Sequence, residues 1–147
     1  MSNTDLVKSV LAAFESGDTK KAGSLLSDDM QFAGPVPKPV GKNEFVGLQG
    51  ALVGALPDWK FNPGEYKEQG DKVIVKVHIS GTHTKPLTLP PMGIQSLPPS
   101  GKKVQLPYET LTISVKNGKV SRIDGEHVEG GGVPGLLAQI GAKVPQH

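Results

Sequence analysis

The four residues Lys116-Asn117-Gly118-Lys119 constrain this chain more than any other stretch. Asn and Gly both tolerate the positive φ that a type I′ turn demands, so Asn-Gly between two alternating runs predicts a tight antiparallel hairpin. The runs are KKVQLPYETLTISV before the turn and GKVSRIDGEHV after it. A third strand-like run, DKVIVKVHISGTHT, comes earlier. In it Val73, Val75, Val77 and Ile79 point one way and Lys76, His78 and Ser80 the other, with Ile74 the only apolar residue on that second side. One face of the sheet is therefore core and the other is largely wet.

The segments before this sheet read as helices. Leu6, Val7, Val10, Leu11 and Phe14 recur at helical spacing, with Asn3 or Thr4 available as N-cap and Gly17 as terminator. Asp18 caps a second short helix over Thr19 to Ser27, and a short strand follows around Met30 to Ala33. After the proline-rich GPVPKPVGK, Asn43 caps a third helix that runs to Leu56 and is stopped by Pro57; Phe45, Leu48, Leu52 and Leu56 form its apolar stripe. Gly47, Gly50 and Gly54 share one face of that helix, at about 1 kcal/mol each against alanine. Such a face predicts close approach to the sheet, or alternatively room for a ligand. Trp59 to Gln69 reads as a strand broken near Pro63-Gly64.

The loop KPLTLPPMGIQSLPPSG holds five prolines yet also Leu87, Leu89, Met92, Ile94 and Leu97, too apolar for a solvated linker. It is expected either to fold over a pocket or to pack against a second subunit. Gly130-Gly131-Gly132 then makes a joint, and Pro134 starts a closing helix with Leu136, Leu137 and Ile140 on its greasy side. Helices first, an antiparallel sheet next and a short helix last predict one α+β domain spanning residues 1–147. A strongly curved sheet wrapped on the first helix encloses a cone whose mouth is the natural pocket.

Composition narrows the partners. A net charge of +2, with the pairs Lys20-Lys21 and Lys102-Lys103 far apart, argues against nucleic acid. The absence of cysteine removes disulfides and thiolate chemistry and fits a reducing cytoplasm. The first eighteen residues carry acids and no long apolar core, so they read as a helix and not a signal peptide, and no run has the length of a membrane span.

Candidate chemistry sits on the sheet. Asp124 and Glu126 alternate with Ile123 and Gly125, so both carboxylates project from one face. On a pocket face one of them is placed to take a proton alpha to a carbonyl; on a wet face they are ordinary solvated acids. Tyr108 and Glu109 lie where the second strand changes phase, between Val104 and Leu106 on one side and Leu111, Ile113 and Val115 on the other. A bulge there aims one of them inward, and Tyr108 or His83 is a candidate to polarise the substrate oxygen. Trp59, Phe61 and Tyr66 are candidate ligand walls, and His78, Glu109 and Met92 complete the candidate ligand-binding set. The histidines His78, His83 and His127 form no complete metal-ligand spacing, so no metal is expected. The glycine run lacks a P-loop ending and no Gly-x-Ser-x-Gly elbow appears.

Several pieces together resemble SnoaL-like proteins of the NTF2-like (cystatin-like cone) superfamily. They are Pro57-Asp58 after the third helix, Gly81-Thr82-His83-Thr84 ending a long strand and Pro98-Pro99-Ser100-Gly101-Lys102 before the next. The turn Asn117-Gly118-Lys119-Val120 and the closing stretch Gly135-Leu136-Leu137-Ala138-Gln139-Ile140-Gly141 complete the set. The resemblance implies a conical barrel, usually a homodimer, with a deep pocket for a small apolar or aromatic molecule. It further implies either a cofactor-free cyclase or isomerase that uses an acid of the final strand, here Asp124 or Glu126, or a non-catalytic ligand-binding or dimerisation module.

Overall fold

A computed structural model describes residues 2–33, 39–89, 94–126, 128, 130 and 132–141. Helix α1 spans Asn3–Glu15 and buries Leu6, Val7, Val10, Leu11 and Phe14, the stripe its spacing predicts. Its N-cap is Ser2, one residue before the expected Asn3, and the Ser2 hydroxyl accepts from the Asp5 amide. Gly17 ends the helix with φ 78°. Asp18 caps α2 (Thr19–Ser24), whose Lys21 amide donates to its carboxylate. This helix stops short of Ser27, because the chain turns at Leu25 into strand β1 (Leu26–Ala33), longer than expected.

Strand β2 (Val40–Gly41) runs into α3 (Lys42–Ala55). The α3 N-cap is Gly41 with no side-chain bond, not Asn43. Its glycine face also differs from expectation. A Cβ at Gly47 or Gly54 meets nothing within 4 Å, and one at Gly50 meets Thr19 Cγ2 of α2 at 3.2 Å. The glycines therefore face outward and toward α2, neither against the sheet nor into a ligand space.

The remaining strands are β3 (Tyr66–Gln69), β4 (Lys72–Val77), β5 (Ser80–Thr82), β6 (Leu87–Leu89), β7 (Ile94–Leu97), β8 (Lys103–Gln105), β9 (Glu109–Lys116) and β10 (Lys119–Gly125). The main sheet has the order β2-β1-β10-β9-β4-β3; β1 and β10 are parallel and every other pair is antiparallel. The predicted hairpin joins β9 and β10, with Asn117 at φ 53° and Gly118 at φ 74°. Val73, Val75 and Val77 are buried on the inner face, each worth about 1.5–3 kcal/mol. They pack with α1 and α3 into one core.

The long first strand breaks at His78-Ile79, because the His78 amide turns to the Phe61 carbonyl and leaves β5 to pair with β8. The apolar loop forms a second small sheet, β6 with β7, that packs against α3 through Leu87. Its described residues are not cavity walls. Helix α4 (Gly132–Gln139) closes the chain on the Gly130 joint. A Cβ at Gly135 would collide with the Gly130 carbonyl, so helix and joint are packed backbone to backbone.

Candidate functional site

Between the helices and the inner sheet face lies a cavity of about 80 Å³, partly open to solvent. Its walls are apolar: Val10, Leu11 and Phe14 from α1, Leu48 and Leu52 from α3, Leu111 and Ile113 from β9. Leu136 of α4 adds the lid, and Gln139 of the same helix latches it to strand β8. The Gln105 amide donates to Gln139 Oε1 and Gln139 Nε2 donates back to the Gln105 carbonyl, each at 2.8 Å.

Among the described residues, four side chains with polar atoms line this space: Gln49, Trp59, Glu109 and Glu126. Glu109 is only 5% exposed. It opens β9 on the inner face, paired across from buried Val77 and followed on the same face by Leu111 and Ile113. The phase change between Leu106 and Glu109 decides this. Leu106 is buried and its amide carries the β5–β8 register on to the Ile79 carbonyl; the register then slips by one residue before Glu109 pairs with Val77, so inward alternation restarts at Glu109. Tyr108 is thereby turned out, 61% exposed and stacked on His78 with ring centroids 4.5 Å apart. Neither Tyr108 nor His78 is a wall of the cavity, contrary to expectation.

The two acids of the final strand separate. Val120 faces inward, and strict alternation from it would carry Asp124 inward as well. The register of β10 on β9 shifts between Val120 and Arg122, so Ile123 takes the inner place and Asp124 the outer. There Arg122 Nε donates to both Asp124 carboxylate oxygens, at 2.9 and 3.0 Å, and the pair is well exposed. Glu126, just past the strand end, reaches the cavity rim, and its Oε1 accepts from the Thr110 amide at 3.2 Å.

Trp59 and Phe61 are walls, meeting edge to face at 5.9 Å between ring centroids. Tyr66 is not; it lies on β3 beneath Lys8, whose Nζ is 5.2 Å from the ring centre. Burial raises its phenol, and Glu15 adds to the rise. His83 is 1% exposed but also lies outside the cavity. The Ser100 amide donates to Nδ1 at 3.2 Å, which fixes Nδ1 as acceptor and puts the neutral ring's proton on Nε2. Burial lowers the His83 pKa, and the Lys85 backbone opposes this only in part. His83 thus pins the loop before β8 and touches no cavity atom. Beside it Asp58 binds Thr82 through both N and Oγ1; burial raises its carboxyl, but these bonds and Lys103 hold it below the usual value. Met92 and His127 lie outside the described residues. Among the described residues no three His, Asp or Glu side chains converge as a metal would require.

Gln49 escaped the sequence reading although a signal was present. It lies four residues after Phe45 and three before Leu52, a polar residue on the apolar stripe of α3. Its carboxamide oxygen is buried.

Among the described residues no helix is long and apolar enough to cross a membrane. No match was found among curated proteins. Solved structures share the fold at low identity. A proposed SnoaL-like polyketide cyclase from Jannaschia is 14% identical at TM-score 0.74, covering 96% of this chain and 92% of that one. AclR of Streptomyces galilaeus, a proposed hydroxylase, is 19% identical at TM-score 0.74, covering 97% of each chain. IdmH of Streptomyces antibioticus, a proposed polyketide cyclase, is 18% identical at TM-score 0.70, covering 97% of this chain and 100% of that one. The sequence profile of the SnoaL-like domain matches residues 7–123, most of the chain. An α+β fold wrapped on its first helix, an apolar internal cavity and that match lead to one conclusion: the chain belongs to the SnoaL-like domain family.

Proposed function

We propose that this protein binds a small, largely apolar carbonyl compound in its cavity and moves a proton on it without a cofactor, as a cyclase or isomerase does. The observation that carries this reading is Glu109, a buried carboxyl group among the apolar walls of an internal cavity. Carboxylates are seldom buried so deep unless paired, and one that lines a cleft is a functional-site candidate. In this reading Glu109 takes a proton from the carbon beside the substrate carbonyl and returns it at another carbon, or the carbanion attacks a second carbonyl carbon of the same molecule, whose C=O π bond opens and whose oxygen takes the proton back from Glu109 as the ring closes. The apolar walls exclude water, so a donor facing the developing enolate oxygen acts at full strength. Glu126 at the rim is the second acid within reach. Asp124 has no part, because it faces away and is held by Arg122.

The test is solvent deuterium exchange at the methyl group of acetonaphthone, followed by NMR with the purified protein. Exchange faster than in buffer is expected, with a loss of about 100-fold or more in Glu109→Gln and little change in Asp124→Asn. Exchange no faster than buffer, or Glu109→Gln at full rate, would sink the proposal.

A further inference from the structure

Two polar atoms of the cavity side chains have no partner among the described residues: the indole Nε1 of Trp59 and the carboxamide Oε1 of Gln49. Both are shut off from bulk water, and Trp59 as a whole is 3% exposed. A buried donor or acceptor left unmade costs about 1–3 kcal/mol, and native chains keep few of them. One of each sense, both on side chains that line a single apolar cavity, mark a place where a ligand completes the bonds.

We propose that Trp59 and Gln49 are the specificity-determining pair of this cavity: the Trp59 indole N–H donates to a carbonyl oxygen of the ligand, while Gln49 bonds a hydroxyl on the same apolar frame. The inference rests on the reading of the cavity as a ligand site. An indole nitrogen only donates, so its ligand partner must be an acceptor. A hydroxyl suits Gln49 whichever way the carboxamide is turned, because it both donates and accepts. The pair belongs to α3 and the turn that follows it, whereas Glu109 and Glu126 come from β9 and the end of β10. One part of the chain thus holds the oxygens of the ligand, and another presents the carboxylates to its carbon skeleton. A site built to hydrogen-bond a polar group rejects the analogue lacking it far more strongly than an apolar wall rejects a missing methylene.

The experiment compares four probes of one shape: naphthalene, naphthol, acetonaphthone and the hydroxy-acetonaphthone isomers. Dissociation constants are measured by ligand-observed NMR on the wild-type protein, Trp59→Phe and Gln49→Leu. Each matched group is expected to tighten wild-type binding about tenfold, so the best hydroxy-ketone leads. Trp59→Phe should erase the advantage of the ketone and keep that of the hydroxyl, and Gln49→Leu should do the reverse. The pair is refuted if naphthalene binds the wild-type protein as tightly as any hydroxy-ketone, if no probe binds, or if each variant weakens all probes alike. The wild-type ranking needs no variant, so a misfolded mutant does not shield the idea. Affinity is read without turnover, so the two readings fail separately. A correct ranking with no deuterium exchange leaves the pair standing and removes the proton transfer; exchange without ranking does the opposite.

Discussion

His83 shows how one residue is read differently before and after folding. Its place at the end of a strand suggested a group that polarises a substrate oxygen, but it is a buried anchor for Ser100 and the loop before β8. Its folded pKa is lowered, chiefly by burial, so the folded protein binds this proton more weakly than the unfolded chain does. The stabilisation is therefore complete above the ordinary value of 6.5 and is lost as pH falls from there through the lowered folded value. The melting temperature of the wild-type protein should fall across that window, and His83→Gln, less stable overall, should show a flatter slope there. Equal slopes in wild type and variant, measured by calorimetry, would remove His83 as the cause. Glu109 is the converse case: a residue picked out for its place in a phase change, whose inward orientation appears only once the register slips by one residue between Leu106 and Glu109.

At the scale of elements, α3 carries both a reserve of stability and a hard limit beside it. Gly47 is exposed in mid-helix and Gly54 in the last turn, each with open space where a Cβ would go. Alanine at either should stabilise by about 0.5–1 kcal/mol, through helix propensity and the lost freedom of the unfolded chain. Gly81 on β5 is the opposite: its Cβ would sit 2.9 Å from Leu56 Cδ2 and 3.1 Å from Leu56 Cβ, at the end of the same helix. Gly81→Ala should destabilise by about 1–3 kcal/mol, by overpacking. Urea denaturation of the three variants checks both signs in one series. Helix α4 was legible as a greasy closing helix on a glycine joint. What its sequence did not disclose was the latch, because Gln139 finds the Gln105 backbone only after β8 is in place.

At the scale of the whole molecule, the cavity is where α1, α3, β9, β10 and α4 meet, so a ligand there bridges parts of the chain far apart in sequence. A bound probe at ten times its dissociation constant should stabilise the fold by about 1.4 kcal/mol, a rise in melting temperature of roughly 3–6 °C. A probe that binds by NMR yet leaves the melting temperature unmoved would place its site elsewhere. By itself the sequence determined what rests on local periodicity and turn chemistry: the Asn117-Gly118 hairpin, the alternation of Val73, Val75 and Val77, the apolar stripes of α1 and α3, and hence the α+β class. Only the tertiary structure decided which polar groups face inward. Two of the resets of strand phase decide the site, one between Leu106 and Glu109 and one between Val120 and Arg122. One reset brings Glu109 in and turns Tyr108 out; the other turns Asp124 out. A side-chain period of two makes a one-residue slip a change of face; the sequence shows the first slip without saying whether Tyr108 or Glu109 turns inward, and nothing local records the second.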